Sequence, residues 1–349
     1  MAVSNIGDKI MKSLLGKLAD KLRGAPAARS PGHLTVKVTK KTLETQDICT
    51  FELADPNGVA LPAFSAGSHI DVHLGPKLVR QYSLCNDPTE THRYLIGVLK
   101  DANSRGGSRA MHADIQEGDT IEISAPKNHF ALAHSAQRSL LFAGGIGVTP
   151  ILCMAERLSN IGGEFEMHYC TRSLDRTAFA DRIKRSAYAG RVAFHFDDGA
   201  ADQRLDLTAV LAAPHPETHL YVCGPSGFMD FVINTALQNG WPEERVHREY
   251  FAAAPLKVAN NVAFDVKIAS TGKVIRVAAD KSVVAALAES GIDIPTSCEQ
   301  GVCGTCTTRL IDGEADHRDS FFTKEEHAKN DQFTPCCSRA RSATLVLDL

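Results

Sequence analysis

Three cysteines stand at Cys298, Cys303 and Cys306, and a fourth, Cys336 or Cys337, follows about thirty residues later. The x4 and x2 intervals are those of a plant-type 2Fe-2S site, in which one tight loop brings three thiolates onto two irons and a distant segment supplies the fourth. The loop 297–306 (SCEQGVCGTC) has the small residues this needs. Gly301 and Gly304 permit backbone conformations that crowd out a side chain, and they leave amides free to face sulfur. Structural zinc is the competing chemistry, but it usually draws on two short Cys-x2-Cys knuckles, and such a pair is absent. A centre of this kind carries single electrons.

A second group of residues can hold phosphates and rings. Arg80, Tyr82 and Ser83 offer a guanidinium, a phenol and a hydroxyl at close spacing, able to address the phosphate and ring of a flavin. Gly106, Gly107 and Ser108 then enter a short helical stretch, where free N–H groups and the positive helix end suit a phosphate; a plain Ser N-cap is the alternative. The segment 144–150 (GGIGVTP) follows an apolar strand and opens a helix, so its glycines let a pyrophosphate or nicotinamide approach the backbone. It is not the Gly-x-Gly-x-x-Gly of dehydrogenases. Cys223 and Gly224 end another strand, at the carboxyl edge where open α/β sheets bind ligands. Two glycine turns at strand ends of one sheet favour a dinucleotide site.

The patterning around these residues predicts several units. Residues 1–30 are basic, with Ile6, Ile10, Leu14, Leu18 and Leu22 at helical spacing, which predicts an amphipathic N-terminal extension able to dock on a partner or pack on its own protein. Residues 31–133 alternate in short segments broken by Gly, Pro, Asn and Asp, the pattern of an antiparallel barrel. Across 134–257 strands alternate with helices, which argues a parallel α/β sheet, with 252–257 as linker. Residues 258–349 carry the cysteine loop.

The chain has 349 residues, 44% of them hydrophobic, enough for two or three cores. A net charge of -3 argues against a nucleic-acid partner. No apolar run reaches the roughly 18 residues of a membrane-spanning helix, and no signal-peptide core is seen, so a cytoplasmic location is expected. Of ten cysteines, Cys49, Cys85, Cys153 and Cys170 read as reduced core residues. None of the fourteen histidines pairs with cysteine at Cys-x-His spacing, so no oxygenase centre is expected, and His317 reads as a surface or structural residue.

In this order, Arg-x-Tyr-Ser, the Gly-Gly-Ser helix start, Gly-Gly-x-Gly-x-Thr-Pro, Cys-Gly-Pro and a C-terminal plant-type ferredoxin resemble the phthalate dioxygenase reductase family, which includes vanillate demethylase reductases. The resemblance covers about residues 33–349 and leaves residues 1–30 unassigned. It implies an FMN-binding barrel, an NAD-binding domain of ferredoxin reductase type and a β-grasp 2Fe-2S domain. Arg80, Tyr82 and Ser83 would bind the flavin, Gly107 and Ser108 its phosphate, and Gly145, Thr149, Cys223 and Gly224 the nicotinamide nucleotide. Phe251, in a segment similar to the family's Glu-x-Phe, would cover the flavin ring; Thr149, Cys223 and Phe251 are the expected catalytic residues. Arg172 lies where the adenosine end is received, and the family implies NADH. The pattern Cys-x-Ser-Arg aligns Cys336 with the fourth cluster ligand. Electrons would then pass from NADH through FMN and the 2Fe-2S cluster to a separate terminal oxygenase, which would recognise the substrate. A haem-thiolate or other non-Rieske acceptor, or a redox-sensing module without turnover, would share every motif.

Overall fold

The computed structural model describes residues 33–75, 78–212, 214–251 and 261–349. The expected N-terminal amphipathic helix and the linker 252–257 lie outside the described residues. Among the described residues, no helix is long and apolar enough to cross a membrane, and all ten cysteines are free.

The first unit is an antiparallel sheet with the strand order Val79–Ser83, Ser68–His73, Thr120–Ser124, His33–Thr45, Ile48–Ala54 and Tyr94–Leu99. An isolated bridge between Leu84 and Ile96 joins its two edges and closes the barrel. Alternation explains the inside and outside: Val36 and Val38 are fully buried beside exposed Lys37, and Ile70, Val72, Phe51, Leu53 and Ile96 complete the same core. Pairing of Ile70 with Tyr82 and of Val72 with Arg80 anchors the Arg-x-Tyr-Ser strand.

The second unit is a five-stranded parallel sheet ordered Val192–Phe196, Glu164–Thr171, Arg138–Gly144, Thr218–Cys223 and Val246–Glu249. Its central strands, Arg138–Gly144 and Thr218–Cys223, are buried almost throughout because helices cover both faces. The helix Val148–Asn160 packs with one core and Ser226–Gln238 with the other. The chain changes direction between Arg138–Gly144 and Thr218–Cys223, so the crevice of this sheet opens at Gly145 and Gly224.

The third unit is a mixed sheet in which Phe264–Ile268 runs parallel to Thr344–Leu347, flanked by Val274–Val277, Thr308–Asp312 and Gln332–Phe333. The helix Val283–Glu289 starts at Ser282, whose side chain accepts the Ala285 N–H, and lays Val283, Ala286 and Leu287 on the sheet. This is the β-grasp arrangement, and the cysteine loop leads into the strand Thr308–Asp312.

Candidate functional site

Cys298, Cys303, Cys306 and Cys336 are all buried, at 8, 6, 3 and 9% exposure. Cys298 lies within hydrogen-bonding reach of both Cys303 and Cys336, and Cys336 of Cys306. The neighbouring thiols, with the Gln300 and Val302 N–H groups, hold Cys298 well below the ordinary thiol range, while Cys303 and Cys336 are pushed up by sharing protons with it. Four thiols competing for protons in a buried pocket form a donor set that fits a cluster with four thiolate ligands. Gly301 and Gly304 adopt φ of +73° and +68°. A Cβ at Gly301 would collide with the Cys337 sulfur, and one at Gly304 with the Phe321 ring. The Cys337 thiol lies within hydrogen-bonding reach of Cys336 and also meets the Thr334 hydroxyl at 3.3 Å. Arg339, two residues on, is buried and donates to the carbonyls of Lys281, Val262 and Ala278 at 2.6, 3.1 and 3.0 Å. The Ser-Arg pair after the cysteines thus braces the segment that carries Cys336.

A cavity of about 860 Å³ lies between the barrel and the parallel sheet. It brings together Arg80, Tyr82, Ser83, Ser108, Gly145, Thr149, Arg172, Gly224 and Phe251. Gly107 and Cys223 do not line it. Gly107 lies beneath Arg80, whose aliphatic chain a Cβ there would strike, and Arg80 is steered by donating to the Val79 and Arg105 carbonyls at 2.7 and 2.9 Å. Gly106, with φ of +96°, rather than Ser108 occupies the N-cap of the helix Gly107–Ala113; the Ser108 hydroxyl bonds Ser104 at 2.9 Å. Cys223 is fully buried, and its thiol is pushed well up by burial and then by the nearby Glu249 carboxylate.

The two glycine turns divide their work. A Cβ at Gly147 would collide with the Cys223 carbonyl, one at Gly224 would lie 2.9 Å from the Gly144 Cα, and one at Gly144 would lie 2.7 Å from Phe228. Gly147 and Gly224 let the ends of neighbouring strands approach each other, and Gly144 admits the Phe228 ring of the helix Ser226–Gln238. Gly145, with φ of +53°, has open space where its Cβ would be, which is the cradle a ligand needs.

A second cavity of about 320 Å³ shares Arg80, Ser83, Arg105, Phe251 and Gln300 with the first and extends to Cys298 and Cys303. Phe251 is 40% exposed and borders both.

Residues 266–341 match the family model of the 2Fe-2S iron-sulfur cluster binding domain. The chain is 54% identical over 316 residues to a vanillate O-demethylase oxidoreductase of Pseudomonas sp. (strain HR199 / DSM 7063), covering 90% of this chain and all of that one. It is 40% identical over 319 residues to the phthalate dioxygenase reductase of Burkholderia cepacia, covering 91 and 98%. The chain belongs to the phthalate dioxygenase reductase family. A solved phthalate dioxygenase reductase, described as a modular structure for electron transfer from pyridine nucleotides to [2Fe-2S], superposes with a TM-score of 0.71 at 40% identity over 91% of this chain and 98% of that one. An intact type IV self-sufficient cytochrome P450 monooxygenase superposes with a TM-score of 0.81 at 36% identity over 95% of this chain and 44% of that one.

Within this phthalate dioxygenase reductase fold, three residues near the cavities carry roles that spacing did not reveal. Glu249 ends the strand Val246–Glu249 opposite Cys223 and accepts from the Ser83 hydroxyl at 3.1 Å. Burial pushes its carboxyl up to about 8. Arg105 of the barrel donates to the Cys298 carbonyl at 2.6 Å and pairs with Glu299 at 3.4 Å, linking the phosphate-side loop to the cysteine loop. Cys170, expected in a core, is half-buried and lines the large cavity, because its strand ends at the sheet's carboxyl edge. Of the two readings of His317, surface or structural, its side chain, only 9% exposed, fits the structural one.

Proposed function

We propose that the chain is the NADH-dependent reductase of a multicomponent oxygenase or demethylase of the Rieske type, passing electrons through FMN and a 2Fe-2S cluster to a separate terminal oxygenase. The observation that carries this reading is the pair of cavities sharing Arg80, Ser83 and Phe251, one reaching the glycine turns of the parallel sheet and the other reaching Cys298 and Cys303. When bound, the flavin takes two electrons as a hydride equivalent and the cluster releases them singly.

The residues have separable tasks. Arg80 and Ser108 hold the flavin phosphate, with Tyr82 and Ser83 along its ring and Phe251 as the cover between ring and cluster. Gly145, Thr149 and Gly224 admit the nicotinamide, and Cys223 with Gly147 fixes the turn behind it. The Glu249 carboxyl, held by Ser83, stands beside the ring site. Cys298, Cys303, Cys306 and Cys336 hold the cluster, and Arg105 positions their loop.

For the nucleotide, Arg172 lines the large cavity together with Asp197. An acidic residue there suits a ribose hydroxyl and repels a 2′-phosphate, which supports NADH over NADPH. Units 31–133, 134–257 and 258–349 then serve as flavin, nucleotide and cluster modules. A second reading, in which the acceptor is haem-thiolate, draws on the likeness to the self-sufficient cytochrome P450 monooxygenase.

The test is an acid extract of the purified protein, followed by Arg80→Ala. FMN at one per chain, lost from the variant on dilution, is expected. FAD in the extract overturns the flavin assignment, and undiminished retention overturns the role of Arg80. Turnover of a purified Rieske oxygenase, compared with that of a haem-thiolate monooxygenase, separates the two acceptors.

A further inference from the structure

We infer that the ferredoxin domain carries a second, mononuclear metal site, formed by His317, Asp319 and His327, that takes a zinc-class divalent cation. His317 and Asp319 follow the short strand Ala315–Asp316, and His327 comes from the helix Lys324–Lys329. One ligand atom of each lies within 4.8 Å of those of the other two. None of the three belongs to the cluster's donor set.

The buried histidine is what demands a guest. Both ring nitrogens of His317 are buried without a hydrogen-bond partner, and the nearest carboxylate oxygen, Asp319 Oδ1, stands 3.8 Å from Nδ1. A neutral imidazole has one donor and one acceptor, and leaving each desolvated and unpaired costs about 1–3 kcal/mol. Native interiors rarely leave such groups orphaned without an ion or a water to meet them.

The surroundings favour a cation over water. The Asp319 side chain is completely buried and anchored by the Phe322 N–H at 2.9 Å and the Ser338 hydroxyl at 3.4 Å. The guanidiniums nearby are engaged elsewhere: Arg318 with Asp316 at 2.6 Å, and Arg341 with Glu314 at 3.1 Å and Asp316 at 3.9 Å. Asp319 therefore has no guanidinium partner among the described ion pairs.

Donor chemistry and spacing then select the ion. His327 Nε2 is hydrogen-bonded to Asp319 Oδ2 at 3.1 Å, a bond that a shared cation would replace. This value and the 3.8 Å to His317 bracket the roughly 3.3 Å between two ligands of a tetrahedral zinc with bonds of about 2.0–2.1 Å. Two imidazoles and a carboxylate are too soft a set for calcium or magnesium and lack the thiolates of a copper(I) site. The fourth position is left to water. The two rings stack at 4.4 Å and 24°, so they must tilt to aim both lone pairs at the ion. His327, with a side chain 26% exposed, has the freedom to tilt and gives the ion its entrance.

Occupancy should be felt at the cluster, because the Ser320 N–H donates to the Gly301 carbonyl at 3.0 Å and Ser338 is two residues from Cys336. The test uses the full-length protein with its flavin and iron in place, washed with EDTA, titrated with ZnCl2 by calorimetry and desalted for metal analysis. We expect one zinc per chain above an unchanged iron content, a higher thermal midpoint for the ferredoxin domain, and at least tenfold weaker zinc binding in both His317→Ala and His327→Gln. The partly exposed position of His327 makes its variant a test that does not depend on tolerance of a core change. Absence of zinc from the wild type, zinc binding that survives His327→Gln, or zinc taken up only as iron is lost would each overturn the site.

Discussion

Replacing Arg105 with alanine tests whether the barrel positions the cluster loop. Arg105 Nη2 donates to the Cys298 carbonyl at 2.6 Å, a charge-assisted bond of about 1.5–3 kcal/mol. Its pair with Glu299, whose side chain is 49% exposed, adds less than about 0.5 kcal/mol. The contact that Arg105 makes with Arg80 runs through its own carbonyl and survives the change. The loss is therefore about 2 kcal/mol on docking of the two domains, or roughly 30-fold in the docked fraction where docking is limiting. Other contacts remain, notably the Ser297 hydroxyl on Asp71 at 3.1 Å and the edge contact of His129 with Phe321 at 5.5 Å. The protein should still assemble while its docked state is depleted. Rates per bound flavin with NADH should show ferricyanide reduction within about twofold of wild type and cytochrome c reduction lowered by up to about 30-fold. Rapid mixing should show slower bleaching of the cluster after reduction of the flavin. Lysine at 105 should fall between the two, since it supplies one donor site in place of a fork. An unchanged ratio of the two activities would refute the reasoning.

Cys336→Ser should abolish most cluster absorbance, whereas Cys337→Ser, which alters the thiol's contacts with Thr334 at 3.3 Å and Ser338 at 3.8 Å, should keep it at a stability cost of about 1 kcal/mol; iron analysis and visible spectra of both variants decide between them. Glu249 should give the fold a pH dependence of defined sign. Its folded carboxyl titrates at about 8 against an ordinary 4.5, so its contribution is fully present below about 4.5 and is lost as pH rises through about 8. Glu249→Gln should flatten that decline in the denaturation midpoint between pH 5 and about 8, and an unaltered pH profile would show that the carboxyl is ionised in the native protein.

The 2Fe-2S module, the closed barrel and the parallel sheet were legible because each is local: a spacing, an alternation, or a glycine turn after an apolar run. The expectation of Cys336 over Cys337 rests on a short pattern, whereas the bracing of that segment by Arg339, whose three carbonyl partners lie 58 to 77 residues away, is visible only in the fold. What could not be read is what forms between units. Arg105 meets Cys298 across 193 residues and Ser83 meets Glu249 across 166, and neither pair leaves a periodicity or spacing behind. The glycines show the same limit from the other side. Their spacing announces a turn that needs room, but only the folded sheet distinguishes Gly145, beside open space, from Gly147 and Gly224, whose missing side chains let two strand ends touch, and from Gly144, which admits Phe228. Chemistry at this site therefore depends on short motifs for its reacting groups and on long-range packing for their alignment. Substitutions at Arg105 or Glu249 should for that reason alter electron delivery or proton balance while leaving the cofactor-binding motifs intact.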